Sequence, residues 1–117
     1  MVWSLLLIKN GAGLDIQDMF GLTALMRAVD NGHDGVVSSL IKNGAGLDIQ
    51  TKTGWTALLM AAEAGHDGVV SILITSGADI SIQDNKGKTA LMWAKEKGHE
   101  DVVSILDRGV DKKEKTE

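Results

Sequence analysis

At 117 residues the chain has the length of one domain, and its net charge of −4 argues against a non-specific nucleic-acid binder, which would show a basic face. Cysteine is absent, which excludes disulfides, thiolate metal sites and a thiol nucleophile, and no apolar run approaches the roughly 18 residues of a membrane span. Hydrophobic residues make up 44% of the chain but aromatics only 3%, so the core is expected to be aliphatic.

The chain opens on Met1 to Ile8, an apolar stretch without a basic n-region or a small-residue cleavage site, so it does not read as a signal peptide. Trp3, Leu5, Leu6, Leu7 and Ile8 read instead as a second helix without its partner first helix, within a partial unit at 1–17. A full unit follows at 18–50. Thr23 is a good N-cap before the helix formers Ala24-Leu25-Met26-Arg27-Ala28, and Gly32 stops that helix. Asp34 is expected to cap a second helix with Val36, Val37, Leu40 and Ile41 on one face, and Gly44 ends it. From Gly44 to Gly54, Leu47 and Ile49 alternate with polar residues, which predicts a hairpin-like extended loop.

A second full unit spans 51–83, because the pattern returns after 33 residues: Gly21, Gly54 and Gly87; Thr23, Thr56 and Thr89; His33, His66 and His99. The segment Ile8 to Gln17 is repeated unchanged from Ile41 to Gln50. The last unit, 84–111, drops one residue near Asp107, so Gly109 takes the part of Gly77 one place early. Its charge-rich second half suits a capping role, and the charged tail at 112–117 is expected to fray. Helices of two to three turns do not persist alone. Stacked units supply one another's core, which predicts a quasi-one-dimensional solenoid.

This unit of turn, helix, Gly-His, helix and Gly-Ala-Asp resembles the ankyrin repeat. Residues 84–91, Asp-Asn-Lys-Gly-Lys-Thr-Ala-Leu, resemble the family's D-x-x-G-x-T-P-L. Gly98-His99-Glu100-Asp101-Val102-Val103 resembles its G-H-x-x-I-V, and Gly77-Ala78-Asp79-Ile80 its G-A-D-V. The resemblance covers roughly Trp3 to Asp111. It implies an all-α ankyrin-repeat solenoid of helix-turn-helix units with hairpin-like loops. Two departures recur. The family's Pro is Ala24, Ala57 and Ala90, and its His two residues on is Met26, Leu59 and Met92. Losing the Pro costs a few tenths of a kcal/mol per unit, and losing the His removes a hydrogen bond near the cap.

The residues carry little sign of catalysis. Equivalent histidines in neighbouring units lie about 10 Å apart, too far to share a metal, and read as backbone-bonding groups between helices. Asp34, Asp67 and Glu100 read as helix-start residues that favour the dipole. No phosphate loop, nucleophile elbow or zinc-protease motif is present. The positions that match a hydroxylated asparagine in some ankyrin hairpins are Asp15, Asp48 and Ser81. The expectation is a non-enzyme without cofactor or metal.

In the resembling family the second, third and fifth positions of the unit lie at the turn tips and vary with the partner. Here they are Met19, Phe20 and Leu22, then Lys52, Thr53 and Trp55, then Asn85, Lys86 and Lys88. Met19, Phe20, Leu22 and Trp55 predict an exposed apolar strip, the kind of surface that marks an interaction site. The inner face of the first helices extends it through Arg27, Asp30, Asn31 and Glu63, then Glu96 and Lys97. Arg27 aligns with Met60 and Trp93, and either snorkels or reaches a partner carboxylate.

The leading expectation is a protein–protein interaction module, with neither nucleic acid nor membrane as partner. It is placed inside the cell, in the cytoplasm, from the absence of cysteine and of a signal segment. The alternative is a structural or engineered repeat fragment that self-associates through Trp3, Leu5, Leu6 and Leu7, an isologous homodimer being its simplest form.

Overall fold

The computed structural model describes residues 14–115, with side chains described as far as Arg108. Six helices and no strand occur among these residues: α1 (Ala24–Asp30), α2 (Asp34–Lys42), α3 (Ala57–Ala64), α4 (Asp67–Thr75), α5 (Ala90–Lys97) and α6 (Glu100–Lys115). The first five span only seven to nine residues each. Such helices are marginal in isolation, so packing must hold them.

They pack as pairs. Within each unit the first helix lies on the second, as α1 on α2, α3 on α4 and α5 on α6. Between units α1, α3 and α5 form one row, and α2, α4 and α6 form the other. The central helix α3 is covered on both sides, and Ala61 and Ala62 are wholly buried there. Their small side chains let α1 and α5 approach closely. In the second row Val37, Leu40, Val69, Val70, Leu73, Val102 and Leu106 form the continuous aliphatic core that the composition predicts. No helix among the described residues is long and apolar enough to cross a membrane.

The first-helix caps form as expected. The Thr23, Thr56 and Thr89 hydroxyls accept from the backbone N–H of Met26, Leu59 and Met92 at 3.3, 3.2 and 3.3 Å. At Met26 the bond lost with the family's histidine is partly replaced, because the Thr23 N–H reaches the Met26 sulfur at 3.5 Å. Each first helix then ends in a left-handed glycine, and the next residue bonds back into the helix, as His33 N–H does to the Ala28 carbonyl at 3.0 Å.

That tight exit corrects one expectation. The N-cap of α2 is His33, with no side-chain cap bond, not Asp34, and His66 holds the same place before α4. The chain leaves the glycine turn already aligned for the next helix, so the aspartates fall inside its first turn, where the dipole favours them.

The inter-unit loops are hairpin-like without a strand ladder. Gln17 Nε2 donates both to the Gly21 carbonyl of its own loop and to the Gln50 carbonyl of the next unit, each at 2.9 Å. Gln50 repeats this with Gly54 and Gln83 at 2.9 and 3.2 Å. Asp15 and Asp48 accept from the N–H of Gly46 and Asp79 at 2.7 and 2.9 Å, so the carboxylates at these hairpin positions stitch one unit to the next.

The end of α6 departs from expectation. Gly109 does not end the helix, which runs on to Lys115 and takes in most of the tail expected to fray. After Gly77 comes Ala-Asp-Ile; after Gly109 come Val110, Asp111, Lys112, Lys113, Glu114 and Lys115, mostly residues that favour helix.

Candidate partner-binding surface

Each turn tip is built around one polar side chain. The Asp18 carboxylate accepts from the N–H of Phe20 and Leu22, both at 2.9 Å. Asp84 does the same with Lys86 and Lys88 at 2.9 and 3.0 Å, and the Thr51 hydroxyl with Thr53 and Trp55 at 3.3 and 3.1 Å. These bonds fix the backbone at the third and fifth positions of each unit. The three turns are themselves laced together: Lys52 N–H donates to the Phe20 carbonyl at 3.2 Å, and Asn85 N–H to the Thr53 carbonyl at 3.0 Å.

The second carboxylate oxygen of each turn aspartate resolves the position of Arg27. In the last unit Asp84 Oδ2 accepts from the Trp93 indole N–H at 2.9 Å. In the first full unit Asp18 Oδ2 pairs with the Arg27 guanidinium. In the middle unit the turn residue is Thr51, which has no second oxygen, and the aligned helix residue is Met60, which has no donor. Arg27 therefore ties the turn to α1 as Trp93 ties it to α5, and its charge is met within the chain.

These bonds set the acidities. The Leu22 N–H does most to hold the Asp18 carboxyl below its ordinary value; burial opposes this, and the Phe20 N–H and Arg27 add to it. Burial alone would raise the Asp84 carboxyl, but the Lys88 N–H, the Trp93 indole and the Lys86 N–H outweigh it and leave it lowered. A carboxylate depressed in the folded state contributes stability above its unfolded pKa and loses it as pH falls through the folded value. Asp84→Asn keeps a turn acceptor but not the charge. The gap in melting temperature between the chain and this variant should be widest near neutral pH and should close below the ordinary value of 3.8. A gap of constant size from neutral pH to about pH 3 would contradict the assignment.

The apolar strip is partly free and partly folded in. Met19 and Phe20 are 73% and 63% exposed. Leu22 and Trp55 are half-buried and pack on the core. Trp55 leans on Trp93 with ring centroids 4.9 Å apart, and Lys88 Nζ sits 4.4 Å from the Trp93 ring centre.

A groove of about 360 Å³ opens between the turns and the first helices. Phe20, Leu22, Trp55 and Met60 line it with apolar surface; Thr51, Lys52, Thr53, Asp30 and Glu63 complete it. It gathers seven of the residues expected at the binding surface and adds Thr51 and Met60, which sequence reasoning missed. The 33-residue register was the available signal for Met60, since it sits at the position of Arg27.

Other expected residues lie outside this groove. Met19 and Lys86 stand exposed at the turn tips. Asn31 and Asn85 spend their side-chain amides on the carbonyls of Arg27 and Lys52 at 2.9 and 3.0 Å. Lys88 is paired with Glu96 at 2.9 Å, which lowers the Glu96 carboxyl. Trp3, Leu5, Leu6 and Leu7, expected at a self-association face, lie outside the described residues.

The histidines are structural where their contacts are described. His99 Nε2–H donates to the Glu63 carbonyl at 3.0 Å, joining two units. His66 lies over Gly32, its ring within 3.2 Å of where a Cβ would stand. Among the described residues no group of three or more His, Cys, Asp or Glu could hold a metal ion.

The family model described as "Ankyrin repeats (3 copies)" matches residues 1–84 and again 36–116. A search of the curated proteins gives no match.

Proposed function

The chain belongs to the ankyrin-repeat family, whose members are in general protein–protein interaction modules, and from that premise we propose that it binds a protein partner in the groove between its turn tips and first helices. The observation that supports this reading is the apolar wall of Phe20, Leu22, Trp55 and Met60 beside open solvent. The backbone on both sides is already bonded, so little order remains to be imposed on binding. Aromatic side chains in such a setting are favoured anchors.

The test is capture with the chain as bait, beside its Phe20→Ala/Trp55→Ala variant. A partner held by the chain should bind the variant about tenfold more weakly or worse. The helical circular dichroism should be unchanged, because neither residue belongs to the fully buried core. Equal capture by both would remove the site from this groove.

A further inference from the structure

The groove carries a charge pattern that the fold does not need. Asp30, Glu63 and Glu96 repeat at the 33-residue step, one on each first helix. Asp30 is the last residue of α1, and Glu63 and Glu96 are next to last in α3 and α5. Helix C-termini favour cations, so carboxylates here work against the dipole. Their placement is not explained by helix stability.

Two of the three remain open to a partner. Glu96 is closed off by Lys88 at 2.9 Å. Glu63 has only a long contact to Lys97 at 3.7 Å, between two substantially exposed side chains. Asp30 forms no ion pair among the described residues. These two, Asp30 and Glu63, are the carboxylates that line the groove with Phe20, Leu22, Trp55 and Met60. Lys52 lines it as well but pairs with neither, so two carboxylates face one lysine.

Resting on the reading of this groove as the partner site, we infer that its occupant is a short segment of a protein carrying a basic side chain next to a large apolar one. The apolar side chain lies between Phe20 and Trp55. The basic side chain reaches the Asp30 and Glu63 carboxylates, where a charge-assisted hydrogen bond forms at the edge of an apolar wall. The apolar contact supplies most of the affinity, and the acid pair selects which apolar segment enters.

The experiment pans a displayed library of random peptides on the immobilised full chain, then measures the best synthetic peptide by fluorescence anisotropy. Enriched peptides should carry Arg or Lys beside Leu, Met or Phe. The isosteric variant Asp30→Asn/Glu63→Gln should weaken the best peptide about tenfold with helical circular dichroism unchanged, and each single substitution should give part of that loss. Phe20→Ala/Trp55→Ala should abolish binding. Peptides without a basic residue, or basic peptides indifferent to Asp30→Asn/Glu63→Gln yet lost in Phe20→Ala/Trp55→Ala, overturn this inference and leave the groove as the partner site. Peptides that bind Phe20→Ala/Trp55→Ala as well as the unaltered chain, or no enrichment at all, overturn both.

Discussion

Replacing Leu73 by alanine should destabilise the fold by about 2–5 kcal/mol, read as a drop in the urea midpoint at unchanged slope. Leu73 lies in α4, is fully buried, and packs in the second row between the units of Leu40 and Leu106. The loss combines the transfer of the missing side-chain atoms with the void they leave, and α4 is held by neighbours on both sides. A domain of this size has roughly 5–15 kcal/mol of stability in all, so one substitution removes a large share. A stack also couples units through their interfaces, and loosening α4 weakens its hold on both α2 and α6. A loss below about 1 kcal/mol would show that the core collapses around the gap.

Replacing Gly65 by alanine should cost about 2–3 kcal/mol, and the same change at Gly98 only about 1–2 kcal/mol. Both glycines cap first helices with φ of 80° and 75°, so the left-handed backbone penalty is shared. Their surroundings differ. A Cβ on Gly65 would stand 2.8 Å from the His99 ring, whereas one on Gly98 meets nothing within 4 Å. Moving His99 aside also breaks its bond to the Glu63 carbonyl. The difference between the two variants, measured in the same urea titration, reports the histidine's packing between units. Equal losses would mean that His99 swings clear without cost.

Much of this was legible in the chain itself, for a physical reason in each case. The threonine caps are local: a hydroxyl reaching an N–H three residues on is set by the backbone of one turn. The alternation of helix, glycine and helix is equally short-range. The histidine at 99 could be read as a bond between helices because the repeat places the preceding unit beside it. Local rules also misplaced features where a neighbouring geometry intervened. The exit from Gly32 shifted the second-helix cap from Asp34 to His33, and Gly109 did not end α6.

The surface was harder to read, because it depends on which side chains meet. Arg27, Lys88 and Asn85 were expected at the partner surface and are each engaged within the chain, with Asp18, Glu96 and the Lys52 carbonyl. Met60 aligns with Arg27 in the repeat, was not counted among the binding residues, and lines the groove. Sequence alone determined the 33-residue unit, its first-helix caps, its aliphatic core and the turn tips, because each rests on residue identity and spacing within one unit. The tertiary structure alone decided which of those tips are open, that Trp55 leans on Trp93, and that Arg27 is spent on Asp18. Those facts arise from the packing of turns on helices and of one unit on the next, a distance that no spacing along the chain encodes.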